Sequence, residues 1–130
     1  MLAPILIWIN IVGFVGYGIF CFFLPEKAAA AMGFVLSNAD AEIEISAMYG
    51  GVQLMIGLFC MLALRIEKIG IRSALTIMLM IYLGLVLGRV YGFLTVAGEV
   101  TFYTQGATSF EVFMLLLLSY SLFEEVKSKN

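Results

Sequence analysis

G-L-V-L-G-R-V-Y-G-F, residues 84–93, sets an arginine inside a run that is otherwise apolar. The run extends from 71 to 94, long enough for a helix to cross about 30 Å of hydrocarbon, which takes roughly 17–25 residues. Either Arg89 interrupts a membrane span or the span carries a charge for a reason. Composition decides for the second. The chain is 63% hydrophobic and only 12% charged over 130 residues, where a soluble domain is roughly half apolar and about a quarter charged. Such a chain could not keep its surface wet, so the bilayer is its solvent.

Three further apolar runs of spanning length lie at about 4–24, 46–64 and 108–123, the last containing Glu111. The reading is an all-α integral membrane protein, a four-transmembrane-helix bundle forming one membrane domain over 1–130. Pro4 suits the first turn of a helix, and Pro25 with Glu26 ends the first span. Four alanines at 28–31 imitate a processing site. Because the first run has no basic flank and is too long for a signal segment, it reads as a retained helix.

Lysine and arginine set the direction. The link between the second and third spans carries Arg65, Lys68 and Arg72, and the tail carries Lys127 and Lys129, whereas the loops 25–45 and 95–107 together carry only Lys27. This bias places both termini in the cytoplasm (N-in/C-in) and makes 25–45 and 95–107 the outer loops. The first outer loop has room for a short interfacial helix near 26–32, with Phe34 and Val35 dipping into the interface. In the second, Phe102 and Tyr103 are expected as interface anchors, with Thr108 or Ser109 capping the fourth helix.

Depth follows from a rise of about 1.5 Å per residue, which puts Arg89 roughly 8 Å below the outer end of its helix. Glu111 enters from the same side at a similar or shallower depth. Tyr17 and Tyr49 come out at roughly 7–10 Å, Gln53 lies one turn below Tyr49, and Glu44 sits at the lip. All four helices thus offer a polar group to one layer in the outer half. A charge in mid-membrane costs about 2.5–3.5 kcal/mol on insertion scales and normally finds a partner. For Arg89 the first candidate is Glu111, on the next helix of a short-looped antiparallel pair, and the second is Glu44. One reading makes the pair a lock in the bundle, or has Arg89 snorkel to the outer interface. The other makes Arg89 an anion or headgroup site that Glu111 holds in place.

Gly84, Gly88 and Gly92 form a small-residue line on the third span, and Gly50, Gly51 and Gly57 recur on the second. In lipid such lines let backbones approach closely, and packing within the bundle, or else a homo-oligomer seam, is expected. The face Ser46, Tyr49, Gly50, Gln53, Gly57 and Cys60 should look inward. Cys21 and Cys60 fall near opposite membrane faces, which speaks against a disulfide. Asn10 is expected to bond a neighbouring helix. The chain has no histidine and no spacing of metal ligands, so no metal, cofactor or catalytic set is assigned. With no basic run, nucleic acid is not an expected partner.

At E-I-S-A-M-Y-G-G, residues 44–51, the sequence resembles the small bacterial four-helix membrane proteins catalogued as domain of unknown function 4345. The matching positions are Glu44, Tyr49, Gly50, Gly51 and Gly57 in the second helix, then Gly88, Arg89 and Gly92 in the third. Glu111 matches at the start of the fourth, and Pro25 and Gly33 fit the first loop. Where the family often has an arginine before the alanine of this motif, the chain has Ser46, removing a cationic contact. The resemblance implies the bacterial inner membrane and supplies no activity. Size and layout are also similar to DoxX-like proteins, which by fold analogy implies attachment to a larger membrane complex.

Three functions are weighed. The first is a non-enzymatic membrane protein that binds a lipid or small amphiphile at the polar layer, or serves as an accessory subunit. The second is a proton-coupled transporter using Glu111 or Glu44. The third, a lipid-modifying enzyme, ranks last because no activated nucleophile or metal set is visible.

Overall fold

The computed structural model describes residues 2–67 and 69–127; Lys68 and Lys129 of the basic link and tail lie outside the described residues. The elements are α1 (Leu2–Phe23), the short α2 (Pro25–Met32), α3 (Ala39–Arg65), α4 (Gly70–Thr95) and α5 (Phe102–Lys127). α1, α3, α4 and α5 are long and apolar enough to cross a membrane. At about 1.5 Å per residue even the 22-residue α1 reaches roughly 33 Å. Large apolar side chains stand exposed on each of the four, among them Trp8, Val12, Met55, Leu87 and Leu116. In water that would be untenable; against lipid tails it is the expected surface.

Two helices begin earlier than hydropathy indicates. α3 starts at Ala39, not near 46, because the Asn38 side chain accepts the Ala41 amide at 2.9 Å and caps it. Asp40 and Glu42 in its first turn suit the positive helix end. Likewise α5 starts at Phe102, so Phe102 and Tyr103 belong to a helical turn and not to a loop. Thr108 and Ser109 do not cap it. They lie inside the helix and donate to the Thr104 and Gln105 carbonyls at 2.7 and 2.9 Å, the usual resort of a hydroxyl without water. A short helix does follow the first span: Pro25 opens α2, and Gly33 at φ 82° closes it in the left-handed conformation.

α1 packs most extensively on α3, and α4 on α5, while α3 and α5 scarcely touch. The apolar core occupies the half of the bundle nearer the 66–69 link, with Leu6, Ile7, Cys60, Leu75, Met78 and Leu118 all inaccessible or nearly so. A smaller cluster of Cys21, Ala28, Ala29 and Ile45 fastens α2 at the other end. Arg72, at the start of α4, donates to the Glu125 and Val126 carbonyls at 3.0 and 3.3 Å, tying down the last turn of α5.

The α1–α3 contact is built on absent side chains. A Cβ on Gly50 would stand 2.7 Å from the Phe22 Cα, and one on Gly57 would stand 2.6 Å from a Val15 methyl. At Gly50 the helix widens to π-type turns over Ile45–Gly51, where two adjacent glycines hold the regular turn weakly. The line Gly84, Gly88 and Gly92 behaves differently: nothing described lies within 4 Å of a Cβ at any of the three. Within this single chain the line is therefore not a close-approach seam of the kind Gly50 and Gly57 form. Gly51, too, meets nothing but its own helix, with the Ser46 carbonyl at 3.8 Å.

Gly50→Ala should lower stability by about 1–3 kcal/mol, because the obstructing atoms are backbone and cannot rotate away. Gly84→Ala should be neutral or raise it by up to about 1 kcal/mol through helix propensity. Unfolding of both variants in detergent checks this; equal losses would sink the close-approach account.

Candidate functional site

Arg89 and Glu111 face each other across the α4–α5 contact. Arg89 Nε donates to Glu111 Oε2 at 3.1 Å and Nη2 to Oε1 at 2.9 Å, a two-pronged pairing that matches the planar guanidinium to the carboxylate. The Glu111 side chain is 9% exposed and that of Arg89 is 29% exposed. Helix geometry explains the meeting: Glu111, Met114, Leu118 and Ser121 form the one buried face of α5. Glu111 is nine residues past Phe102, about 14 Å along the helix, so it lies deeper from its own helix end than the sequence suggests.

The pair does not stand in a single layer with every other polar residue. Glu44 is exposed on the first turns of α3 and makes no ion pair among the described residues, so its assignment to the layer is corrected. Tyr17, Tyr49 and Gln53 line a cavity of about 320 Å³ at the centre of the bundle, and the structure adds Asn10, Tyr82 and Tyr103 to its wall. Arg89 lines a different cavity of about 340 Å³, bounded by Gly88, Gly92, Glu99 and Thr104 beneath the 96–101 connection. Tyr103 faces the first cavity and Thr104 the second, so the two open on either side of the first turns of α5.

The floor of the central cavity is a hydrogen-bonded bridge between α1 and α4. Tyr82 donates to Asn10 Oδ1 at 2.8 Å, and Asn10 Nδ2 donates to the Leu6 carbonyl at 2.8 Å. Asn10 thereby bonds a neighbouring helix, with both ends of its buried amide satisfied. At the opposite end the Tyr17 hydroxyl lies 3.0 Å from Met32 Sδ and 3.3 Å from the Tyr103 hydroxyl, joining α1 to α2 and α5. Phe34 rests edge-on against Tyr49, ring centres 6.3 Å apart. Gln53 makes no hydrogen bond among the described residues and borders the cavity. The inward face expected of α3 therefore divides: Gly50, Gly57 and Cys60 are buried, and Tyr49 and Gln53 look into the cavity.

Tyr82 and Tyr103 are the site residues that sequence reading left out. The signal was present for one of them, since Tyr82 and Arg89 are two helical turns apart on one face of α4. For Tyr103 it was not, because its role depends on where α5 begins. Among the described residues no three of Cys, Asp and Glu converge in a way that could hold a metal ion.

Four spanning helices with polar groups gathered between them define a multi-pass, all-helical membrane protein. The chain belongs to the family defined by the domain of unknown function (DUF4345), whose family model matches residues 2–122. No curated protein and no solved structure matches it.

Because each charge was placed for the other, Glu111→Gln alone should cost more stability, about 1–2 kcal/mol, than Glu111→Gln combined with Arg89→Gln. A double-mutant cycle in detergent reads the coupling directly; additive losses would remove the pair from the energetics of the fold.

Proposed function

We propose that this is a non-enzymatic inner-membrane protein that binds the polar headgroup of a lipid or other amphiphile at Arg89, with Glu111 holding the guanidinium in place. One observation carries the reading. Nε and Nη2 of Arg89 are committed to Glu111, while Nη1 makes no hydrogen bond among the described residues and the side chain borders an open, partly polar cavity. A guanidinium anchored along one edge and accessible along another is prepared for an acceptor such as a phosphate, sulfate or carboxylate oxygen. Glu111 fixes its orientation and offsets part of its charge, so a headgroup meets a positioned donor instead of a mobile cation.

The orientation belongs to the same proposal. Arg65, Arg72 and Lys127 lie at the end of the bundle opposite Arg89, joined in sequence by Lys68 and Lys129. The basic end is cytoplasmic by the positive-inside rule, which turns the Arg89 cavity towards the outer leaflet. An alkaline phosphatase fusion at Glu99 should then be active and one after Lys127 inactive; the reverse pattern would overturn the orientation.

Headgroup binding is tested by native mass spectrometry of the protein extracted gently from its own membrane. A stoichiometric small mass is expected, retained in the unaltered protein and lost in Arg89→Ala. A bound protein partner with no small mass would overturn it, making the chain an accessory subunit and the Arg89–Glu111 pair a lock.

A further inference from the structure

The central cavity differs in chemistry from the Arg89 cavity and calls for a different ligand. No charged side chain lines it. Its apolar wall is largely aromatic, with the Tyr82 ring 6.2 Å from both Phe14 and Phe110, each inclined to it and not stacked upon it. Inclined rings leave faces and edges free for another flat ring. Most of the polar groups in the wall already serve one another: Asn10 with Tyr82, and Tyr17 with Met32 and Tyr103. Two do not. The Gln53 amide and the Tyr49 hydroxyl make no hydrogen bond among the described residues, and they sit one turn apart on α3, facing the same space. Ile9 and Phe110 line the cavity and are also about half exposed on the surface of the bundle, so it communicates with the lipid-facing side between α1 and α5.

We propose that this cavity binds an uncharged, flat-ringed lipophile bearing a hydrogen-bond-accepting oxygen, which enters from the bilayer. The ring lies among Phe14, Tyr82 and Phe110, and the oxygen accepts from the Gln53 amide and the Tyr49 hydroxyl. Size agrees, since about 320 Å³ lies at the lower end of the range for small-molecule sites and admits a one- or two-ring compound. An anionic ligand is disfavoured because the wall supplies no cation to it. A simple acyl chain would leave the Gln53 amide unpaired in a medium without water. The inference does not rest on headgroup binding at Arg89.

Three probes that share one ring system separate these cases: 2-acetylnaphthalene, 2-ethylnaphthalene and 2-naphthoate. Binding to the full chain in dodecyl maltoside is read as the saturable component above partition into protein-free micelles. The ketone should bind saturably at one per chain. Oxygen-free 2-ethylnaphthalene should bind at least tenfold more weakly, and 2-naphthoate more weakly still. Gln53→Leu with Tyr49→Phe should weaken the ketone at least tenfold. Gly13→Leu, its folding checked by gel filtration in the same detergent, supplies a second variant, because Gly13 lines the cavity and nothing described lies within 4 Å of its Cβ position. It should abolish saturable binding by filling the space, whereas Leu116→Ala on the lipid-facing surface should leave binding unchanged. Equal binding of the ketone and 2-ethylnaphthalene would overturn the proposal, as would preference for the anion or ketone binding that survives Gly13→Leu.

Discussion

Hydrocarbon offers no water to a polar group, and that single constraint organises this molecule. Every backbone amide must be answered within its own helix or at a cap. The polar side chains that enter the spans follow the same rule by three routes. Hydroxyls fold back onto their own helix, as Thr95, Thr108, Ser109 and Ser119 do on carbonyls four residues earlier. Amides and phenols bridge helices, as Asn10 and Tyr82 do at the middle of the bundle. Charges pair, as Arg89 and Glu111 do between α4 and α5. Because each route joins particular helices, the polar residues act as registration marks as well as liabilities.

Packing supplies what the polar bonds leave over. Without a hydrophobic drive between spans, helices associate through close approach, and the closest here is α1 against α3 at Gly18, Gly50 and Gly57. Towards the 66–69 link, α1 also presents Leu6 and Ile7 to a closed core with Leu75 and Leu118. Beyond the Asn10–Tyr82 bridge, aromatic and polar side chains together with Gly13 line the centre without filling it. The central cavity is the consequence of that change, held open by aromatic rings and roofed by Met32 of α2.

Much of this was legible in the sequence for identifiable reasons. The four spans followed from uninterrupted apolar length, which the bilayer enforces so strongly that position errors stayed at the ends. Those errors fell where polarity and helicity disagree. Asn38 starts α3 by capping it among Asp40, Glu42 and Glu44, a stretch too polar for any hydropathy window. Phe102 starts α5 within a segment read as a loop because Thr101, Thr104 and Gln105 surround its aromatics. The glycines were legible in type and not in use. Gly50 and Gly57, like Gly84 and Gly88, lie at helical spacing on an apolar span, yet only the first two meet another helix.

From the sequence alone came the solvent, the number of spans and the need for a partner to Arg89, since each depends on residue chemistry against hydrocarbon and on nothing further away. Only the tertiary structure decided that the polar residues divide between two cavities, that Glu44 belongs to neither, and that Gln53 and Tyr49 share an unanswered face. Those outcomes depend on the rotation of each helix about its axis and on how far its ends extend. Both are set by contacts between helices, which no local stretch of sequence contains.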